Sequence, residues 1–193
     1  WSNTDPTQPT QTSSSGTYQV TVTQNGCDGT ASVAVTVNPV PLPAITPAGP
    51  VSACVGDNVI LDAGSGYTAY SWSDGDLTQT TQPTSSGNYV VTVNQNGCLG
   101  SDSVAVTFNA IPHAVISPAD TQAICSGQNV MLDAGAGYNS YLWTTNETTQ
   151  TIVADTAGTY DVTVTQNGCT GGSTGSVDVV VNPIPNAQII VVG

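Results

Sequence analysis

The chain has 193 residues with thirteen acidic side chains, no lysine or arginine and one histidine, which give a formal net charge of −13. Binding to nucleic acid or to an anionic membrane surface requires cationic side chains that replace counterions, so we expect neither partner. No apolar run reaches the eighteen residues of a membrane-spanning helix, so we expect no membrane insertion. A hydrophobic content of 38% with only 7% charged residues favours a folded chain over a disordered one.

An eight-residue segment recurs at a fixed spacing. VTVTQNGC at 20–27 returns as VTVNQNGC at 91–98 and again as VTVTQNGC at 162–169, and Trp72 and Trp143 fall on the same 71-residue period. Self-similarity at a fixed period is typical of tandem repeat proteins. The repeats predict four segments, namely the back part of a repeat at 1–42, complete repeats at 43–113 and 114–186, and the start of the next repeat at 187–193.

The segment at 1–42 has no counterpart of the front part of a repeat. We therefore expect the chain to be an internal piece of a longer tandem array. A strand exchanged with a neighbouring chain is the alternative, although residues 187–193 are far fewer than the first segment lacks. The repeat at 114–186 is two residues longer than the one before it, and the extra residues fall within 171–175.

Alternation of apolar and polar residues predicts strands in every repeat. Apolar residues alternate with polar ones over 18–23, and the valines from Val33 to Val37 alternate with smaller or polar residues. Asn25 and Gly26 lie between these runs, and an Asn-Gly pair between alternating runs predicts a hairpin with a type I′ turn.

Further strands are predicted upstream of each hairpin. They are centred on Ile45, on Val59 and Leu61, on Tyr70 and Trp72, and on the Thr/Gln-rich edge segment 78–84. Six or seven short strands per repeat, with no helical periodicity, predict an all-β fold of tandem antiparallel β-sandwich repeats of about 71 residues.

Three motifs carry a family resemblance. They are YxW, LDAGxGY and GxYxVTVxxNGC, the last beginning at Gly16, Gly87 and Gly158. The unit resembles the Ig-like and PKD-like repeats of giant surface adhesins of gliding Bacteroidetes, which the type 9 system secretes, and GxYxV looks like the tyrosine corner of Ig-like domains. The resemblance implies an extracellular cell-surface appendage. The chain departs from the immunoglobulin pattern because Val20 occupies the position of the second core cysteine, and Cys27 follows the hairpin turn.

Each complete repeat contains two cysteines that lie 44 residues apart. We predict one disulfide per repeat, Cys54 with Cys98 and Cys125 with Cys169, because paired cysteines in small strand-rich domains are typical of oxidising compartments. The equivalent partner of Cys27 falls before residue 1, so we expect that partner outside the chain. Metal ligation is the alternative, but zinc sites use closely spaced Cys and His pairs.

Five carboxylates are candidates for a weak Ca²⁺ contact, because hard cations prefer clustered oxygen ligands. They are Asp62, Asp74, Asp76, Asp133 and Glu147. A simpler interpretation makes Asp74 and Asp76 exposed loop carboxylates. Asp62 and Asp133 would then hold the following Gly-rich turn by an Asx-type hydrogen bond. Apart from this Ca²⁺, we expect no cofactor.

Short patterns predict modification and contact sites. Ser103 and Thr156 follow an aspartate and precede an apolar residue, which looks like the O-glycosylation motif of Bacteroidetes, and Asn146 begins an N-glycosylation sequon. Tyr67 and Tyr138, at the Gly-rich turns, are the best candidates for exposed aromatic rings that contact sugars or another partner.

The sequence offers little to catalysis. His113 lies in the junction between two repeats, and no serine is accompanied by the histidine and carboxylate of a catalytic triad. The lack of lysine excludes a Schiff base and a Lys–Asn isopeptide crosslink. We therefore predict that the protein is not an enzyme.

The predicted function follows from the array. Short proline-bearing junctions favour extended, semi-rigid connections between repeats. We expect a structural segment of a long extracellular filament or adhesin, used in attachment, gliding or capture of other cells, which bundles with identical chains. Glycans and other cell surfaces are further expected partners. The alternatives are a spacer or carbohydrate-binding array beside a polysaccharide-degrading enzyme, and a surface-layer lattice protein.

Overall fold

A computed structural model describes residues 11–189, and every regular element in that range is a β-strand. The chain divides into two compact units. The first comprises the chain up to Thr46 with Leu61–Thr81 and Tyr89–Ser103, and the second comprises Pro47–Ile60, Gln82–Asn88 and the chain from Val104 onward. These units do not follow the sequence repeats, so the boundaries at 42, 113 and 186 stay a prediction.

The segment at 1–42 contributes one hairpin. Strands β1 (Gly16–Gln24) and β2 (Cys27–Val35) pair antiparallel, from Gly16 opposite Val35 to Gln24 opposite Cys27. Val22 and Val33 are each 54% exposed. The Val22 equivalent in the next repeat, Val93, is fully buried, because strands with no counterpart in the first segment cover it there.

The repeat at 43–113 contains six strands. They are β3 (Val51–Cys54), β4 (Leu61–Asp62), β5 (Ala69–Trp72), β6 (Thr80–Thr81), β7 (Gly87–Gln95) and β8 (Cys98–Asn109). A four-stranded sheet has the order β3-β8-β7-β5, and β4 pairs with β6 in a separate two-stranded sheet. The segment around Ile45, predicted as a short first strand, forms only an isolated bridge between Thr46 and Asp62.

The repeat at 114–186 contains the equivalent strands, two of them interrupted. They are β9 (Gln122–Cys125), β10 (Val130–Asp133), β11 (Ser140–Trp143), β12 (Thr151–Ala154), β13 (Gly158–Tyr160), β14 (Val162–Gln166), β15 (Cys169–Gly172) and β16 (Val177–Asn182). The sheets are β10-β12, β11-β14-β15 and β13-β16-β9. The two extra residues fall where the strand equivalent to β8 is broken between β15 and β16.

The strand that carries the first cysteine of each repeat was not predicted. β3 pairs parallel with β8, so that Cys54 lies opposite Asn109, and β9 pairs parallel with β16, so that Cys125 lies opposite Asn182. These are the parallel pairings of the chain's described strands; the other pairings with a stated register are antiparallel. Consequently the first cysteine of a repeat lies at the end of its last strand.

The buried core of the repeat at 114–186 is built on Trp143, which is 1% exposed. Apolar residues from facing strands surround it, including Leu132, Ile152, Val162, Val164 and Val177. The indole Nε1 donates to the carbonyl of Thr149 at 2.9 Å, so burial leaves no unpaired donor.

The tyrosine of GxYxV forms the predicted corner. The hydroxyl of Tyr160 donates to the carbonyl of Thr156 at 3.0 Å, and the hydroxyl of Tyr18 donates to the carbonyl of Ser14 at 2.9 Å. This hydrogen bond to backbone four residues upstream is the one that defines the tyrosine corner of Ig-like domains. The predicted all-β, Ig-like repeat is confirmed.

Candidate functional site at the repeat junction

The hairpin tip of each repeat has the turn that its sequence predicts. Asn96 and Gly97 have φ values of 51° and 84°, and Asn167 and Gly168 have values of 50° and 81°. Positive φ at both central residues defines a type I′ turn, which Asn-Gly adopts at little cost. The turn places the cysteine that follows it, Cys98 or Cys169, at the first position of the next strand.

The tip of one repeat contacts the end of the last strand of the repeat before it. The Asn38 side-chain amide donates to the Asn96 carbonyl at 3.1 Å, and 71 residues later the Asn109 amide donates to the Asn167 carbonyl at 3.3 Å. The Cys98 thiol lies 3.6 Å from the Asn38 carbonyl oxygen. The same contact therefore recurs with the period of the sequence.

A glycine two positions after the tip cysteine lets the junction backbone pass closely. A Cβ atom on Gly100 would lie 1.9 Å from the carbonyl oxygen of Pro41, and one on Gly171 would lie 2.0 Å from that of Pro112. Both prolines are buried. Only glycine fits these positions, which explains the third residue of the CxG pattern.

A disulfide forms at this junction. Cys54 and Cys169 are bonded with their Cα atoms 5.6 Å apart, across 115 residues of sequence. Cys54 belongs to the repeat at 43–113 and Cys169 to the repeat at 114–186, so the bond joins consecutive repeats. It links the strand-end cysteine of one repeat to the hairpin-tip cysteine of the next.

The predicted pairs Cys54–Cys98 and Cys125–Cys169 are therefore wrong. Cys98 begins β8, whereas Cys54 lies opposite Asn109 at the other end of that strand. Eleven residue steps in an extended strand separate these ends by roughly 35 Å, and a disulfide needs Cα atoms within about 7 Å. The missed strand β3 is the cause of the error, because it carries Cys54 along β8 to the far end of the repeat.

Three cysteines of the chain remain thiols. Cys27 and Cys125 are exposed and Cys98 is half-buried. That the partner of Cys27 lies outside the chain stays a prediction.

Asp62 and Asp133 hold the Gly-rich turn. Oδ1 of Asp62 accepts from the backbone N–H of Gly64 at 2.8 Å and from the side chain of Gln79 at 2.7 Å. The Asp133 carboxylate makes the equivalent pair of bonds 71 residues later. This is the Asx-type interpretation of these carboxylates.

Asp74 and Asp76 converge on one hydroxyl. Thr81 Oγ1 lies 2.6 Å from Oδ2 of Asp74 and 2.7 Å from Oδ2 of Asp76. The position equivalent to Thr81 in the next repeat is Ile152, so this cluster is particular to one repeat. Glu147 contributes its backbone carbonyl to Trp143 N–H. No group of three or more His, Cys, Asp or Glu side chains within 11–189 is placed to hold a metal ion, and Ca²⁺ at these carboxylates stays a prediction.

The Gly-rich turn tyrosines are half-buried, contrary to their prediction as exposed rings. Tyr67 packs edge-on against Tyr70 with ring centroids 5.9 Å apart, and Tyr138 packs likewise against Tyr141 at 5.8 Å. The Tyr138 hydroxyl also donates to the carbonyl of His113 at 2.8 Å. Tyr138 thereby fixes the junction between repeats.

Asp102 has a structural role that sequence reasoning missed. Its Oδ2 accepts from the backbone N–H of Ile45 at 2.8 Å and its Oδ1 from that of Ser103. Its equivalent is Ser173, which forms a bridge with Ala114 at the corresponding place. The recurrence of a polar residue two positions after the CxG glycine is the signal that could have identified this anchor.

The predicted glycan acceptors Ser103, Thr156 and Asn146 are exposed. The Thr156 hydroxyl shares a 2.9 Å hydrogen bond with the hydroxyl of Tyr160, so a glycan there would compete with the tyrosine corner. Glycosylation at all three stays a prediction. No helix within residues 11–189 is long and apolar enough to cross a membrane.

No protein-family model and no curated protein matches the chain. Among solved structures, titin domains I67–I69, as an E-to-A variant, align with a TM-score of 0.43 and 12% identity over 87% of this chain and 75% of that one. The four N-terminal Ig domains of Dscam1 isoform 7.44 align with a TM-score of 0.34 and 14% identity over 86% of this chain and 54% of that one. The chain spans about half the length of that Dscam1 structure. At these scores the likenesses carry no argument about function.

Proposed function

We propose that the chain is a structural segment of a long extracellular cell-surface filament or adhesin, of the kind that type 9 systems secrete in gliding Bacteroidetes. The observation that carries this proposal is the disulfide between Cys54 and Cys169, which crosslinks one repeat to the next. A crosslink in this position adds nothing to a chemical site, but it resists separation of neighbouring repeats under tension. Disulfides form and persist in oxidising, extracytoplasmic settings, which supports the extracellular location.

The chemistry of the surface also supports a structural role. The chain has 7% charged residues, all acidic apart from the single His, and many exposed threonines, serines and glutamines. Such chains repel one another at low ionic strength, where screening extends over about 30 Å, and much less at about 1 M salt, where it falls to about 3 Å. We propose that identical chains bundle side by side when salt or divalent cations such as Ca²⁺ screen this charge.

Imaging of cells that produce the protein tests the function. Gold-labelled antibodies against the segment should decorate fibres that project from the cell surface. Label confined to a soluble secreted enzyme would contradict the filament and favour the spacer interpretation, and label over a planar lattice would favour a surface layer.

Light scattering tests bundling. Scattering from the oxidised chain should rise with NaCl or with millimolar CaCl₂, whereas a chain with Asp74 and Asp76 changed to asparagine should lose only a part of the response that is specific to Ca²⁺. Scattering that stays flat across both titrations would contradict bundling.

A further inference from the structure

The cysteines that remain thiols stand in the same local surroundings as the bonded pair. Cys98 lies against the Asn38 carbonyl as Cys169 lies against that of Asn109, at 3.6 Å and 3.8 Å. At the other end of a repeat, Cys125 lies opposite Asn182. Cys54 has the same position opposite Asn109, in the same parallel register.

We infer that the array carries a staggered disulfide ladder, in which the strand-end cysteine of every repeat bonds to the hairpin-tip cysteine of the following repeat. Cys98 is then the acceptor for a strand-end cysteine of the preceding repeat, and Cys125 is the donor to a hairpin tip of the following repeat. The partner in each case is another repeat of this kind, from the same longer chain or from a second copy. The inference concerns covalent connectivity and does not depend on the proposed function.

The preceding strand has a built docking position at Cys98. In the next repeat, β3 lies along β8 from Val106 to Asn109. The residues 71 positions earlier are Val35 and Asn38, and Asn38 already contacts the hairpin tip that carries Cys98. A strand added in parallel register along 35–38 would place its cysteine opposite Asn38, where Cys54 stands opposite Asn109.

Each bond forms by two exchange steps with a small disulfide oxidant such as glutathione disulfide. One cysteine thiolate attacks the oxidant and releases one reduced glutathione. The second thiolate then attacks the resulting mixed disulfide and releases the other. Two protein thiols thus lose two electrons to one oxidant molecule, and two protons are released.

The ladder would shorten the covalent path through the array. From Cys98 the path follows the backbone for 27 residues to Cys125, and it then crosses a disulfide to a hairpin tip in the following repeat. That tip lies two repeats beyond the tip of Cys98. An extended segment of 27 residues spans at most about 95 Å, so two repeats could not be stretched much beyond this length while the disulfides hold.

The first test uses the chain as it is, with a peptide of residues 48–57 in which the cysteine carries a nitrothiobenzoate leaving group. Cys98 should displace that group at least about tenfold faster than Cys125 does, because docking along 35–38 raises the effective concentration at Cys98. The control peptide exchanges the positions of Ala53 and Cys54, which turns the cysteine to the other face of the strand. Equal rates at Cys98 with both peptides, or no preference for Cys98 over Cys125, would overturn the inference.

The second test uses a longer chain in which residues 114–186 occur twice in tandem. Peptide mapping without reduction should find Cys54 bonded to Cys169, and Cys125 of the first copy bonded to the hairpin-tip cysteine of the second copy. A bond between the two cysteines of one copy, or a free thiol at Cys125 of the first copy, would overturn the ladder. Loss of the Cys54–Cys169 bond itself would also overturn it.

Discussion

The backbone carbonyl of Pro112 lies directly over Gly171, at a distance where a Cβ atom would be 2.0 Å from the oxygen. Nothing but backbone is available to move away, so a side chain here forces the junction apart. Gly171 shares a β-strand with Cys169, which is bonded to Cys54. The close approach and the disulfide therefore act on the same strand.

Gly171→Ala should lower the free energy of unfolding by about 2 kcal/mol, in the range measured for overpacked sites. Gly29→Ala is a matched control, because Gly29 occupies the same repeat position and its nearest neighbour to an added Cβ is a Val22 methyl at 3.7 Å. Urea denaturation followed by tryptophan fluorescence measures both. Equal stability of the two variants would contradict the steric role of the junction.

Cys54→Ser and Cys169→Ser should each lower the free energy of unfolding by about 5 kcal/mol, the chain-entropy estimate for a loop of 115 residues. Cys98→Ser should change it little in this chain, because the Cys98 thiol has no disulfide partner here. Thermal unfolding in oxidising buffer measures the difference. A large effect of Cys98→Ser would restore the pairing of Cys54 with Cys98 and contradict the junction disulfide.

Reduction should lengthen the unfolded chain under force. The disulfide excludes 115 residues from extension, and that length of chain spans about 400 Å when stretched. Single-molecule force spectroscopy with and without a reductant measures the contour length directly. The Cys169→Ser variant should show the longer contour in both buffers, and a contour insensitive to reductant in the parent chain would contradict the bond.

Tyr160→Phe should cost about 1 kcal/mol of stability, because it removes the hydroxyl that donates to the carbonyl of Thr156. Tyr160 is 4% exposed, so water cannot readily replace this bond. The Tyr18→Phe change removes the same bond from the exposed hairpin and should cost much less. Chemical denaturation of the two variants checks the difference, and equal effects would mean that burial does not govern the corner.

The elements that the sequence predicted correctly are those with local signals. The Asn-Gly turns, the alternating strands on both sides and the tyrosine corner each depend on residues within about ten positions of one another. Their geometry follows from backbone preferences and period-two burial. The Asn96–Gly97 turn and the Tyr160 corner are examples.

The disulfide could not be predicted in the same way. The segment VSAC at Val51–Cys54 is short and shows little alternation, and its parallel partner lies some fifty residues later in β8. A spacing of 44 residues within a repeat and one of 115 residues between repeats are both compatible with the sequence. Only the register of β3 along β8 decides between them. The contacts of Gly171 with Pro112 and of Asp102 with Ile45 are likewise long-range, so no local pattern reveals them.

The bond between Cys54 and Cys169 also bears on survival among proteases. A single hydrolysed peptide bond anywhere between these two residues leaves both fragments attached to each other through the sulfur atoms. If every repeat is bridged to the next in the same manner, consecutive bridges overlap along the sequence, and no isolated cut severs the array. An appendage built in this way would tolerate nicking in open water and fail only where two cuts fall within the same overlap.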